Sequence, residues 1–466
     1  MLFRSSRGSL LEFGYASNRT FHREIPQGGG LYILSPLGKS GNYFADVTID
    51  ASRDQAIVNW VLPSFKDHRI KLGADLDRVG YSQDIRRNGY ANYIDAITPL
   101  RIVEFAGDGR VRRSNLEASA YIQDEWRVWR NLQLTYGLRS DYDTLIGDAS
   151  LSPRAGFAWN PRGLEHTRVS GGFAVARDAT NLRLFSRAYD QYALATYFTP
   201  AAGAADPALS VYTLATSRFH APVYRNFSLG VDQRLPASIE ARVALIRKRG
   251  RRGLAYQSIL PSTADFARFG AANFDAIYGL SSFRRDAYDA VEFTIRQSIR
   301  RQYEWMASYT RARAHTTAVL DLSLDDPILA EASGVVNNNT GRASWDAPNR
   351  LIGWGYLPLP FKNWAISHLI EYHTGFPFSI VNEHGRLVGQ PNGTHYPDFL
   401  EVNLHLERRF VYRGHRWAYR GGFNNITGHH NYNVVNNVMG SPLFGQFFGG
   451  QSRSFNFRVR WLGKIS

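Results

Sequence analysis

Apolar and polar side chains alternate along most of this chain. Ile70, Leu72, Ala74 and Leu76 alternate with Lys71, Gly73, Asp75 and Asp77. The same period runs through Leu116 to Gln123, Leu132 to Arg139, Leu400 to Glu407 and Phe455 to Trp461. A period of two sends successive side chains to opposite faces of an extended backbone. Each segment therefore predicts a strand with one apolar and one wet face. No segment of comparable length keeps a helical period, so the pattern predicts an all-β fold.

The connections sort by length. Predicted strands at 49–62 and 67–84 are joined by PSFKD, those at 114–128 and 131–143 by WR, and those at 153–160 and 166–178 by PRGLE. The pair 223–235 and 238–250 turns on PA, 287–298 and 302–312 on IRR, 347–357 and 363–374 on PLPFK, and 398–410 and 415–425 on YRGH. Between these hairpins lie long polar stretches at 21–48, 85–113, 179–222, 251–286, 313–346, 375–397 and 426–452, with a shorter one at 144–152. With a first strand at 9–20 and a last at 455–461, the count is about sixteen, an even number as in bacterial outer-membrane barrels. Tight turns at one end and long loops at the other are the arrangement of such a barrel, whereas a soluble sandwich gives no reason to sort loops this way. The expectation is a transmembrane, antiparallel, up-and-down β-barrel, with the large soluble β-protein as the alternative.

A barrel in lipid fixes which way side chains face. Leu132, Leu134, Tyr136, Leu138, Leu400, Val402, Leu404 and Leu406 are expected outward, and Gln133, Arg139, Glu401 and Glu407 into the lumen. Trp60, Trp126, Trp129, Trp159, Trp305 and Trp364 all sit beside short turns. An indole has an apolar body and one polar edge, so these six predict an aromatic girdle at headgroup level. The plainer reading of any one of them is a soluble-core aromatic.

Composition sharpens this in three ways. The 466 residues are enough for several soluble domains or one large barrel. The chain has 0 Cys, which excludes disulfides and thiolate chemistry. A mean hydropathy of −0.32 and the lack of a long unbroken apolar run leave no transmembrane helix, and strands of a barrel need none. The formal charge of +15 would ordinarily raise nucleic-acid binding, but the 55 Lys and Arg are spread along the whole chain, and no nucleic-acid partner is expected.

Several stretches together resemble the barrel of TonB-dependent outer-membrane receptors, of the Oar-like type. They are YIQDEWRVWRNLQLTYGLRSDYD (121–143), LSPRAGFAWNP (151–161), RVSGGFAVARD (168–178) and YDAVEFTIRQSIRRQYEWMASYTRARA (288–314). SWDAPNRLIGWGYLPLPF (344–361), HTGFPFSI (373–380), FNNITGHHNYN (423–433) and GQSRSFNFRVRW (450–461) complete the set. The resemblance implies an outer-membrane location, lipid and lipopolysaccharide as surroundings, and loops that capture a large, scarce nutrient. Members of that family carry a signal peptide, a plug domain, a TonB box and a barrel of about twenty-two strands. None of the first three is recognisable here. Residues 1–466 are therefore expected to be the C-terminal barrel portion of such a receptor, a barrel of fewer strands than the family's, engaging TonB only if a plug and TonB box are supplied. The alternative is a plugless pore, or a barrel presenting its loops as an adhesin or scaffold.

Among local motifs, the run RKRGRRG carries Arg247, Lys248, Arg249, Arg251 and Arg252 at the long-loop end. Guanidinium groups take phosphate bidentately, so this run is a candidate contact for lipopolysaccharide or another anion, against the plainer reading of a solvated loop edge. Adjacent His429 and His430 would point to opposite faces and make a poor metal pair. LGKS at Leu37 to Ser40 lacks the upstream glycine of a phosphate-binding loop. Asp124, Glu125, Asp141 and Asp143 are expected in the lumen or at the rim and not in catalysis. No nucleophile elbow, HExxH or SxxK with supporting partners is present, so neither an enzyme nor a cofactor is expected.

Overall fold

The computed structural model describes residues 2–4 (backbone only), 8–199, 203–214, 218–270, 273–300, 302–320, 340–383 and 385–464. Among the described residues, sixteen long strands form the wall. The first eight are β1 (Leu10–Glu24), β2 (Ala45–Val61), β3 (His68–Arg87), β4 (Arg110–Trp129), β5 (Leu132–Asp143), β6 (Asp148–Trp159), β7 (Thr167–Arg177) and β8 (Val223–Leu235). The second eight are β9 (Ile239–Ile259), β10 (Asn273–Ile299), β11 (Tyr303–Thr316), β12 (Asn349–Pro358), β13 (Trp364–His373), β14 (Phe399–Tyr412), β15 (His415–Asn424) and β16 (Ser454–Lys464). Each is antiparallel to the next, from the β1–β2 ladder through to β15–β16. Among the described residues no ladder joins β16 to β1, and the short strand Leu2–Arg4 adds to the β1 edge at Leu10 to Glu12.

The short connections close tightly. At the β14–β15 turn only Arg413 and Gly414 intervene, both with positive φ, 50° and 72°. That is the backbone a two-residue hairpin needs to match the twist of its strands. Among the described residues, helix is confined to Leu182–Ser186, the single turn Arg187–Tyr189, and Thr263–Phe269. In the last of these, Ser262 and Asp265 cap the N-terminus reciprocally.

The wall has two unlike faces. On one, large apolar residues are exposed: Val243 and Leu245 on β9, Val291 and Phe293 on β10, and Phe455, Phe457 and Trp461 on β16. On the other, charged and polar side chains pair across strands. This alternation places Tyr136, Leu138 and Leu406 on the apolar, outward face. Glu407, 2 % exposed, faces inward, where Tyr356, Arg409 and Arg460 hold it. Arg139 likewise points inward to Asp75 and Asp141.

Four of the long stretches, 21–48, 85–113, 179–222 and 251–286, are not wholly irregular but carry further strand. Strands β9 and β10 run on beyond the predicted 250 and 287 to Ile259 and back to Asn273. Segments Tyr32–Ser35, Tyr90–Tyr93, Pro99–Ala106, Tyr192–Thr199 and Ala208–Leu214 then pair with one another in that order, and the last lies parallel on β10. The result is a second layer at the long-loop end, built from four separate connections. Its interior holds the main apolar core, including Phe44, Tyr90, Phe185, Tyr212, Tyr256, Tyr278 and Leu280. Most of the predicted 313–346 loop, residues 321–339, lies outside the described residues.

Candidate lumenal uptake site

Inward-facing residues of β2 to β6 build an acid-rich bank. Arg53 donates to Asp77 at 2.8 Å, Ser119 to Asp75 at 2.5 Å, and Asn115 to Asp143 at 2.9 Å. Above it, the stretch after β7 folds into the mouth. Thr180 is bonded to Asp143. The guanidinium of Arg113 lies 3.8 Å from the Tyr189 ring centroid, and the Tyr256 hydroxyl donates to the Leu184 carbonyl at 2.6 Å. Arg87 and Asp190 form a 3.1 Å ion pair with both side chains almost fully buried, 4 % and 5 % exposed. A charge pair removed from water that far is a fixed joint, since separating its members would leave each desolvated and alone. Burial pushes the phenols of Tyr256 and Tyr278 in this layer above their usual range.

Among the described residues, the opposite side of the mouth holds a cavity. It is about 920 Å³ and lies against β8 to β13 and the 343–347 turn. Its aromatic members are Tyr224, Tyr288, Trp345 and Phe376. Trp345 is 59 % exposed, and its ring lies 5.8 Å from that of Tyr288. The charges around them are mostly matched: Arg284 with Asp286 at 3.0 Å and Arg350 with Glu371 at 2.8 Å. Exposed aromatic planes beside fixed polar pairs can hold a ligand by its faces and orient it by its edges. A second cavity of about 600 Å³, lined by Arg168, Asp232, Arg242 and Glu240, lies nearer the short turns.

The structure separates the residues of the basic run. Ladder register puts Arg247, Arg249 and Arg251 on the outward face. Lys248 points inward, 5.7 Å from the Tyr288 ring, and lines the mouth cavity. Arg252 sits at an irregularity in the ladder with φ 59°. The run is thus strand and not loop edge: Arg247, Arg249 and Arg251 share the outward face, and Lys248 lies on the other.

All six predicted tryptophans lie on the outward face beside short turns. Trp60 donates to Ser9 at 3.1 Å, Trp305 to Gln297 at 2.8 Å, and Arg408 covers Trp364. Trp126 stacks on His68, and Trp129 and Trp159 are well exposed. Two more, Trp417 and Trp461, join them across the β15–β16 ladder, and alternation along β16 already pointed to Trp461. One expectation fails. Asp124 is not lumenal: it lies on the outward face, where His68 at 2.6 Å and a donated Tyr136 hydroxyl at 2.7 Å satisfy one carboxylate oxygen. A carboxylate can stand there because these neighbours, and Trp126 stacked on His68, shield it. Asp141 and Asp143 do face inward. His429 bonds Asn431 and His430 stacks on Tyr432, each within its own loop.

Residues 147–395 match the outer membrane beta barrel domain family. The chain belongs to that family. Solved structures of similar fold include the outer membrane transporter YddB from Escherichia coli, with TM-score 0.61 and 11% identity over 97% of this chain and 60% of that one. The ferric enterobactin receptor PfeA in complex with BCV-L6 gives 0.62 and 15% over 98% and 60%. FpvA of P. aeruginosa, bound to heterologous pyoverdines, gives 0.60 and 10% over 99% and 55%. The barrel thus has structural similarity to TonB-dependent receptors and spans about three fifths of the length of the first two structures. No curated protein matches the chain. The protein is an outer-membrane β-barrel.

Proposed function

We propose that residues 1–466 form the wall and ligand-capturing loops of a TonB-dependent-receptor-like transporter of the Oar-like type, taking up a large, scarce nutrient. The observation that carries this reading is the mouth cavity. It has a volume of about 920 Å³ at the long-loop end, and a second cavity of about 600 Å³ lies nearer the short turns. The likeness of fold to siderophore receptors supports it. Energy coupling through TonB requires a plug and TonB box in the working assembly. The outward tryptophans serve as the girdle that seats the barrel at headgroup level.

The reading is tested by reconstituting the purified protein in nanodiscs and screening ferric siderophores, oligosaccharides and peptides against tryptophan fluorescence. A saturable change for one class, reduced about tenfold by Trp345→Ala, is the expected result. The ordered loop layer favours one other reading, an adhesin or scaffold. No ligand in the mouth cavity, together with cell or matrix binding that survives Trp345→Ala, would decide for that second reading.

A further inference from the structure

Every short connection except that between β8 and β9 carries a Lys or Arg: Lys66, Arg130, Arg162, Arg300, Lys362 and Arg413. All are exposed. The carboxylates in these connections are Asp67 and Glu165. Among the described residues neither forms an ion pair with any of these cations, and no other carboxylate does. Neighbouring short turns stand about 10 Å apart, or about two strand spacings. That is about one Debye length at roughly 0.1 M salt, so their fields merge into a positive rim.

Apolar surface accompanies the charge. Lys66 lies 5.5 Å from the ring of Phe65, which is 66 % exposed, and Arg413 lies 5.3 Å from that of Tyr412. Exposed Trp129 precedes Arg130, exposed Phe361 precedes Lys362, and exposed Leu164 follows close on Arg162. A rim bathed in water has no use for apolar side chains beside its charges. A ring next to a cation suits a membrane interface, where the ring meets the hydrocarbon edge and the charge reaches the headgroups. A strand rises about 3.4 Å per residue, so these cations stand within a few residues' rise of the outward tryptophans.

The backbone adds a separate sign. Lys66, Arg300 and Arg413 have φ of 52°, 51° and 50°. Left-handed backbone is open to glycine and mild for asparagine, but it crowds the Cβ of a long side chain. Asn363 takes such a position at the β12–β13 turn, and Ala237 and Ser238 do so at the uncharged one. Three turns thus hold a cation where glycine or asparagine would be less strained.

We propose that the short-turn rim selects phospholipid of net negative headgroup charge, of the phosphatidylglycerol class, in the periplasmic leaflet around the barrel. Cations at this height meet lipid phosphate directly, and a headgroup without its own ammonium leaves that phosphate uncompensated. The proposal rests on the girdle reading of the tryptophans and is independent of what the mouth takes up.

The test is quenching of tryptophan fluorescence by brominated phospholipid, with the protein folded into liposomes. Brominated phosphatidylglycerol and brominated phosphatidylcholine are compared at equal fractions. The wild type should favour phosphatidylglycerol about fivefold, the factor that one cation at an anionic surface supplies. That preference should shrink as salt rises. Replacing Lys66, Arg130, Arg162, Arg300, Lys362 and Arg413 by Gln should abolish the preference and leave quenching by phosphatidylcholine unchanged. Lys in place of the four arginines should keep it. Lys66→Asn, Arg300→Asn and Arg413→Asn together should lower the preference while raising resistance to urea, because the turns lose strain and charge at once. Gln at Arg247, Arg249 and Arg251, at the long-loop end, should change nothing, since the quenched tryptophans lie beside the short turns. Heat-modifiable migration on gels checks that each variant is folded. Equal quenching by the two lipids, a preference kept by the folded six-site Gln variant, or competition by soluble glycerol phosphate would each overturn the proposal. Charge-dependent sedimentation with peptidoglycan in place of a lipid preference would assign the rim to the cell wall and overturn it too. Quenching by neither lipid would overturn the girdle reading, and the proposal with it.

Discussion

The two faces of the wall can be told apart by placing the same charge on adjacent residues. Phe293 and Thr294 are neighbours on β10, the first outward and 46 % exposed, the second inward with its hydroxyl 2.9 Å from that of Ser308. Phe293 is six residues from Ile299 at the end of the strand. That is about 20 Å along the strand at 3.4 Å per residue, or about 15 Å of height at a tilt of about 40°, close to the middle of the apolar band. Phe293→Arg should therefore cost about 2–4 kcal/mol. Thr294→Arg enters the water-filled side near Glu240 and Asp232 and forfeits one hydroxyl hydrogen bond, a loss of about 1 kcal/mol. Urea titration of the protein folded into liposomes, followed by tryptophan fluorescence, measures both. Costs that agree within about 0.5 kcal/mol, the ordinary scatter of surface substitutions, would refute the assignment of lipid and lumen faces. The same substitution at Leu134, only two residues above the β4–β5 turn, should cost about 0–1 kcal/mol because it lies at the interface.

Three further outcomes are expected. A Cβ on Gly73 would meet the Tyr121 ring at 2.4 Å, and that ring is tied by its hydroxyl to Asn59 at 2.6 Å, so Gly73→Ala should destabilise by about 1–3 kcal/mol in the same titration. Glu407→Gln leaves Arg409 and Arg460 without their carboxylate. Because both arginines are partly solvated, the cost should be about 1–2 kcal/mol and not that of a fully buried pair. The phenols of Tyr256 and Tyr278 are held above their usual range, so the stability they contribute is complete below pH about 10 and is lost as pH rises through the folded values. Limited proteolysis of the long-loop layer, followed with tyrosinate absorbance, should show the layer opening above that pH while the wall persists.

The strands were legible because period-two alternation is written residue by residue, and the short turns carry their own chemistry. Leu132 to Arg139 needs no knowledge of its neighbours to be read as a half-wet strand. The loop layer was not legible for the opposite reason. Tyr32–Ser35 and Tyr90–Tyr93 are only four residues each, too short for a period, and each finds its partner across a wall hairpin. The basic run was half legible. Clustering along the chain exposed Arg247 to Arg252, but alternation turns half of such a run inward. Asp124 misled because lumen lining is the general fate of barrel carboxylates, and its shelter depends on His68 from the adjacent strand.

The ladder that ties the long connections together also restricts how this surface can change over generations. Loops of a barrel that stand free can drift separately, each answering to its own ligand, antibody or phage. Here Tyr90–Tyr93 is held between Tyr32–Ser35 and Pro99–Ala106, and Tyr192–Thr199 between Pro99–Ala106 and Ala208–Leu214. An insertion in any of these segments shifts its neighbours' pairing and turns core residues such as Tyr90 or Tyr212 toward water. Variation among descendants of this chain should therefore collect in the stretches that no ladder holds, such as 25–31 and 260–262. The paired segments should change in concert or not at all.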